Sequence, residues 1–326
     1  MKENPVDQTL TPFDFSQIMD AVPELRKFTG RLDSYTFDPL IDSSDVEPAL
    51  WQELVRLIKE KYDDYDGFVI LHGTDTMSYS ASALSFMLDG LEKPVVFTGS
   101  QLPIGRPRTD GKENLISAVE IAAAKDGDGK AIVPEVTIFF DSLLLRGNRT
   151  TKVSSENFDA FRSYNLPPLA EAGINIKYNR SLIRRPENPG LEASEELDTR
   201  VSILKLHPGI TPQVVSNIIL GAETRAVIIE TFGSGNAPSK DWFINLLKIA
   251  DGMGKILVNV TQCLEGRVDM DIYATGRKLK DAGVISGWDS TTESMLAKLF
   301  HLMGKYSDNA EVKKHLEENL KGEISK

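Results

Sequence analysis

A single cysteine, Cys263, stands among 326 residues, so no disulfide can form within the chain. Cysteine-poor chains suit a reducing compartment, and a cytoplasmic location is expected. Long apolar runs are missing too. No stretch approaches the roughly 20 apolar residues that a membrane-spanning helix needs. Residues 1–20 hold neither the basic start nor the apolar run of a secretory signal. Basic residues are in deficit: 37 Lys and Arg face 48 Asp and Glu, a net charge of −11. Such a chain repels phosphate backbones. Arg184 and Arg185 form only a short basic pair. Neither nucleic acid nor a membrane is expected as a partner.

Several motifs are also absent. Phe232-Gly233-Ser234-Gly235-Asn236-Ala237-Pro238 lacks the third glycine of a dinucleotide fingerprint. Gly252-Met253-Gly254-Lys255 lacks P-loop spacing, and no Gly-x-Ser-x-Gly elbow occurs. The four histidines, His72, His207, His301 and His315, show no metal-ligand spacing. His72 reads as a packed strand-end residue. No metal or organic cofactor is expected.

What is present is alternation. Gly67 to Leu71, Pro94 to Thr98 and Val136 to Phe140 are short apolar runs. Helical stretches lie between them, from about Ser78 to Leu88 and Asp110 to Ala124. Pro48 to Tyr62 carries Trp51, Leu54, Val55, Ile58 and Tyr62 on one helical face, expected to pack on the sheet. Tyr35 to Leu40 reads as a short extended segment. This pattern predicts an α/β protein with a mostly parallel sheet covered by helices on both faces. The length suits two domains. Residues 180–200, rich in Pro, Glu and Asn, read as a linker. They would separate a larger N-terminal domain, 1–179, from a smaller α/β domain, 201–326. In the latter, strands are expected at Val201 to Lys205, Ala226 to Glu230 and Lys255 to Val260. Helices are expected from Thr211, Ser239, Thr291 and Asn309.

In parallel sheets, ligands bind beyond the carboxyl ends of the strands. His72-Gly73-Thr74-Asp75-Thr76 lies at such an end and opens a helix, where free N–H groups and the dipole gather. Thr74 and Asp75 could position a water or a nucleophile there, or merely cap the helix. Asp42-Ser43-Ser44-Asp45 could hold a zwitterionic amino acid. Equally, Ser44 and Glu47 have capping-box spacing ahead of Pro48. Lys152 closes the polar run Arg146-Gly147-Asn148-Arg149-Thr150-Thr151-Lys152. A lysine acts as a base only when withdrawn from water, and most loop lysines are solvated.

The run Gly67 to Met77 resembles, over its whole length, the second signature of the asparaginase/glutaminase family. Asp42 to Val46, Phe97 to Gln101, Arg146 to Lys152, Gly233 to Pro238 and Asn259 to Cys263 resemble further segments of its type I, cytoplasmic bacterial branch. The resemblance spans nearly the whole chain. It implies hydrolysis of L-asparagine to L-aspartate and ammonia through a threonine acyl-enzyme, without a cofactor. It assigns Thr74, Asp75 and Lys152 to proton handling and Asp42, Ser43 and Ser44 to the substrate's amino and carboxylate groups. A homodimer or homotetramer is implied, with Asn236 reaching a neighbour's site. Thr151 and Cys263 fall where some relatives hold a second, regulatory asparagine. Alternatives are a glutaminase or another amidohydrolase of the same fold, and a non-catalytic amino-acid binding protein. One departure matters. The family's Thr-Gly-Gly-Thr-Ile-Gly run, which carries the attacking threonine, is absent, and Met1-Lys2-Glu3-Asn4-Pro5 resembles the residues just after that run. The expectation is a chain that starts one strand late, inactive and poorly stable as written.

Overall fold

The structure, a computed structural model, describes residues 2–3, 10–11, 15–28 and 30–326. The expectation about the start of the chain falls on Met1 to Pro12. That stretch lies outside the described residues apart from Lys2–Glu3 and Leu10–Thr11, which pair antiparallel with each other. The chain divides into two compact units. One comprises Met1–Ser163 and Pro167–Ser194, the other Tyr164–Leu166 and Glu195–Lys326.

The first unit is built on six strands: β1 (Phe68–Leu71), β2 (Val95–Thr98), β3 (Val136–Phe140), β4 (Leu143–Arg146), β5 (Ala170–Ala172) and β6 (Ile176–Tyr178). They lie in the order β6-β5-β4-β3-β2-β1. β1, β2 and β3 run parallel, with Phe68 opposite Val95 and Val95 opposite Val136. β4, β5 and β6 are antiparallel additions, so the sheet is mixed. The α/β class holds, but parallel pairing covers only half of the sheet. All four residues of β2 are buried, which requires cover on both faces of the sheet.

α1 (Pro48–Lys61) packs against α2 (Met77–Met87), and α2 and α3 (Gly111–Ala123) pack with these strands. α1 buries Trp51, Leu54, Val55 and Ile58 of the predicted stripe, while Tyr62 is its C-cap and only half-buried. Each fully buried side chain of this kind contributes about 1.5–3 kcal/mol. α2 has no polar face: ten of its residues, Met77 and Ser78 and then Ser80 through Met87, are buried.

Three expectations need correction here. Tyr35 to Leu40 joins no ladder. Ser44 does not cap α1. The N-cap is Glu47, without a side-chain bond, and the Ser44 hydroxyl donates to Asp42 instead. Residues 180–194 pack within the first unit, where a linker was expected. Glu192–Ala193 pairs antiparallel with Leu88–Asp89, and the Arg184 N–H donates to the buried Glu135. Polar composition hid these contacts because they are made by backbone.

The second unit carries a four-stranded parallel sheet of β7 (Val201–Lys205), β8 (Ala226–Thr231), β9 (Ile256–Thr261) and β10 (Val284–Ser286), in that order. Its helices are α4 (Pro212–Ile219), α5 (Asp241–Gly252), α6 (Ala274–Asp281), α7 (Thr292–Lys305) and α8 (Asn309–Leu316). Hydroxyl or carboxylate caps begin three of them: Thr211 for α4, Thr291 for α7 and Asp308 for α8. Val227, Ile229, Phe243 and Leu247 pack in one core cluster, while Ala226, Ile228, Val258 and Leu299 pack in another. These alternate along β8, as a strand buried on both faces demands. The unexpected members are β10, three residues long, and α6, whose run Ala-Thr-Gly-Arg-Lys-Leu-Lys-Asp buries only Gly276 and Leu279. Among the described residues no helix is long and apolar enough to cross a membrane.

Candidate active site

The carboxyl ends of β1 and β2 lie side by side, since Leu71 is opposite Thr98. His72 continues the ladder by donating its backbone N–H to the Thr98 carbonyl at 2.9 Å. Beyond them the two loops crowd. A Cβ on Gly99 would meet the His72 carbonyl oxygen at 2.3 Å, so only glycine fits there. The His72 ring is placed by its partners. Its Nδ1 lies 2.6 Å from the Gly73 carbonyl, which can only accept. The ring therefore carries its proton on Nδ1 and accepts at Nε2 from the Ser80 hydroxyl, 2.9 Å away. Ser80 in turn accepts from the Trp51 indole at 2.9 Å. Burial holds the imidazole below the usual histidine range. This agrees with the packed strand-end reading.

Thr74 and Asp75 do not cap α2. Its N-cap is Thr76, which makes no side-chain cap bond. Both residues turn to Lys152. The ammonium donates to Thr74 Oγ1 at 2.8 Å and to Asp75 Oδ1 at 2.6 Å. The Lys152 side chain is 18% exposed and that of Asp75 63%, so the lysine is withdrawn from water while its carboxylate partner faces it. Lys152 arrives there because the preceding run is not a solvated loop. Gly147, Asn148, Arg149 and Thr150 are buried. The Thr150 hydroxyl donates to the Arg146 carbonyl at 2.7 Å. Arg146 and Glu135 form a buried ion pair. Thr151–Lys152 then pairs antiparallel with Phe161–Arg162.

The Asp42-Ser43-Ser44 turn docks on the same loop. Thr76 Oγ1 donates to the Ser43 carbonyl at 2.6 Å. Gly73 offers its bare Cα to Ser43, whose Oγ would lie 2.4 Å from an added Cβ. Asp42 Oδ1 accepts from the Ser44 N–H at 2.9 Å and the Ser44 hydroxyl at 2.8 Å. The Ser44 backbone and side-chain donors, in that order, hold the Asp42 carboxyl below its ordinary range. One unit thus carries Asp42, Ser43, Ser44, Thr74, Asp75 and Lys152. Asn236 belongs to the second unit. There it closes a tight turn by backbone pairing with Phe232, and its Oδ1 accepts from the Thr275 hydroxyl at 2.6 Å. Glu230, also in that unit, accepts from Thr292 at 2.7 Å.

One participant went unread as such. Thr74 Oγ1 donates to Gln101 Oε1 at 3.2 Å. The available signal was position: Gln101 lies just past the carboxyl end of β2, where parallel sheets place ligand contacts. A threonine hydroxyl between a lysine and an amide, beside a carboxylate and a helix N-terminus, can exchange a proton and orient a nucleophile. Among the described residues no cluster of His, Cys, Asp and Glu has the makings of a metal site.

Comparison with known proteins points the same way. The family model described as "Asparaginase, N-terminal" matches residues 1–184. The model "Glutaminase/Asparaginase C-terminal domain" matches residues 200–316. L-asparaginase 1 of Escherichia coli (strain K12) is 45% identical over 309 residues, covering 93% of this chain and 86% of that protein. A human 60 kDa lysophospholipase is 44% identical over 289 residues, covering 88% of this chain but 49% of that protein. The crystal structure of L-asparaginase I from Vibrio cholerae O1 superimposes with a TM-score of 0.86 at 42% identity, over 96% of this chain and 92% of that one. With both family models matched in order along the chain, and with relatives this similar over most of its length, the chain belongs to the asparaginase family.

Proposed function

We propose that the protein hydrolyses the side-chain amide of L-asparagine to L-aspartate and ammonia. The observation that carries this is the bonding of Lys152 to both Thr74 and Asp75. Likeness to L-asparaginases supports the substrate. The Asp42–Ser44 turn, with a carboxylate and hydroxyls at one end of the sheet, suits an amino acid's ammonium and carboxylate groups.

The roles come from the chemistry. A hydroxyl attacks the amide carbonyl, ammonia leaves, and water releases aspartate from the ester. The first step moves a proton from the hydroxyl to the leaving nitrogen, and the second returns one from water to the hydroxyl oxygen. Thr74 and Lys152, 2.8 Å apart, form a path for it, and Asp75 holds the lysine in place. The resemblance gives the first attack to a threonine of Thr-Gly-Gly-Thr-Ile-Gly, a run these 326 residues do not contain. We therefore assign Thr74, Asp75 and Lys152 to proton transfer and water activation. Asp42, Ser43 and Ser44 bind substrate, together with Thr74 and Asp75. The active form is proposed as a cytoplasmic homodimer or homotetramer, in which Asn236 completes a neighbouring copy's site.

The test is ammonia release from L-asparagine and L-glutamine. It compares this chain with the same chain carrying a strand that ends in Thr-Gly-Gly-Thr-Ile-Gly ahead of Met1. Release from asparagine, abolished by Lys152→Met, supports the reading. A folded extended protein that releases no ammonia overturns it, and preferential release from glutamine moves the assignment to a glutaminase.

A further inference from the structure

Gln101 makes bonds from both ends of its amide. Its Nε2 donates to the Asn157 carbonyl at 3.0 Å and the Ser154 carbonyl at 3.4 Å. Carbonyl oxygens only accept, so the nitrogen must face them and Oε1 must face Thr74. The orientation is set by chemistry and leaves no freedom to flip. The backbone beneath is held as firmly. The N–H groups of Gln101 and Leu102 both donate to Asp110, at 2.9 and 3.0 Å, and Asp110 also accepts from Asn114 at 3.2 Å.

This geometry has a consequence for Thr74. Its hydroxyl has one hydrogen and two lone pairs. The hydrogen goes to Gln101 at 3.2 Å, and one lone pair accepts from Lys152 at 2.8 Å. A second lone pair is left for a reacting atom. Ser154 and Asn157 lie just past Lys152 in a turn that the Ser154 hydroxyl closes by accepting from the N–H groups of Glu156 and Asn157. Gln101 therefore ties the segment bearing Lys152 to the loop bearing Thr74. An amide oxygen is too weak a base to take the proton itself.

We propose that Gln101 is a positioning residue for the reaction: its amide aims the Thr74 hydroxyl and holds the 152–157 segment so that Thr74 and Lys152 meet. As a role in catalysis this rests on the amidohydrolase reading above. No family motif is needed to see it, only the three amide bonds and the single hydrogen of Thr74.

The test combines a double-mutant cycle with a structure. Gln101→Met keeps the side chain's size and removes every polar atom. In the protein extended with a strand ending in Thr-Gly-Gly-Thr-Ile-Gly, it lowers kcat about 10- to 100-fold through misalignment, with KM changed less than about threefold. Because Gln101 acts through the Thr74–Lys152 contact, the double variant Gln101→Met/Lys152→Met is no slower than Lys152→Met alone. Multiplicative losses overturn the proposal. In the crystal structure of Gln101→Met, the Thr74–Lys152 contact opens beyond hydrogen-bonding distance, and a contact kept at 2.8 Å overturns it. Should that variant fail to fold, Gln101→Glu carries the test. A carboxylate facing the Ser154 and Asn157 carbonyls repels them, but a protonated carboxyl donates to one. The ratio of its kcat to that of the unaltered protein rises from about pH 8 to about pH 5, towards the usual glutamate range near 4.3. A flat ratio overturns the proposal. Absence of any hydrolysis by the folded protein extended with a strand ending in Thr-Gly-Gly-Thr-Ile-Gly brings down the amidohydrolase reading, while the Gln101→Met structure still decides whether Gln101 sets the contact.

Discussion

Arg146 and Glu135 clasp each other through two bonds, Nε to Oε2 at 2.6 Å and Nη2 to Oε1 at 3.2 Å, with both side chains under 10% exposed. The pair stands where β4 ends and the buried run towards Lys152 begins. Arg146 also donates to the Leu182 carbonyl at 2.6 Å, so the clasp gathers in the 180–194 segment as well. Breaking such a pair from one side strands the other charge, which costs about 3–5 kcal/mol. Arg146→Met is expected to destabilise the protein by that amount in urea unfolding. A loss under about 1 kcal/mol would show that the clasp adds nothing beyond an exposed ion pair.

Lys152→Met tests the proton path. Removal of a positioned acid–base group lowers rates about 10²- to 10⁴-fold. Circular dichroism should show an intact fold, since the Asp75 partner is largely exposed and can be hydrated when left alone. Ammonia release at more than a tenth of the unaltered rate would remove Lys152 from the chemistry.

Gly73→Ala tests the docking of the Asp42–Ser44 turn. The new Cβ would lie 2.4 Å from Ser43 Oγ and 2.6 Å from Ser43 Cβ, so the turn must shift. Overpacking of this kind costs about 1–3 kcal/mol. If the turn holds substrate, that cost shows in KM, with a rise of about tenfold for each 1.4 kcal/mol. Ser43→Gly in the same protein removes both clashing atoms and should recover much of the lost stability in urea unfolding. A stability loss that Ser43→Gly leaves untouched would place the damage elsewhere.

His72 makes stability depend on pH in a definite direction. Its folded-state pKa lies below the ordinary histidine value, first because of burial. Above about pH 6.5 the ring is neutral in both states and contributes no slope. Below that, the unfolded chain takes up a proton that the folded ring refuses. Stability therefore falls with pH until the depressed folded value is passed, by at most about 1.4 kcal/mol per pH unit. Unfolding free energies measured from about pH 7.5 down to about pH 5 should fall less steeply for His72→Gln than for the unaltered protein. Equal slopes would mean that the ring titrates normally in the fold.

The fold and site were unequally legible. Short apolar runs bounded by glycine and polar turns set β2, β3, β8 and β9, because buried parallel strands need apolar residues on both faces; β1 and β7 were read from similar runs although both are only partly buried. Helical spacing of Trp51, Leu54, Val55 and Ile58 set α1. The antiparallel strands β5 and β6 were invisible, since Ala170–Ala172 and Ile176–Tyr178 are three residues each and mix charge with apolar groups. The motif residues Thr74, Asp75 and Lys152 could be named from the chain, and the resemblance implied proton handling for them, but spacing did not show that they meet. Spacing alone offered Thr74 and Asp75 as helix caps and Lys152 as a solvated loop residue.

What the sequence determined by itself is local and compositional: the α/β class, the apolar strands, the polar residues at their carboxyl ends and the acidic surface. What only the tertiary structure decided is which polar groups meet. Lys152 reaches Thr74 and Asp75 across more than 70 residues, and Gln101 reaches Asn157 across 56. Such contacts arise from strand order and from the burial of Arg146 to Thr150, which no local pattern encodes. Hydrogen bonds act over about 3 Å in space and are indifferent to separation along the chain.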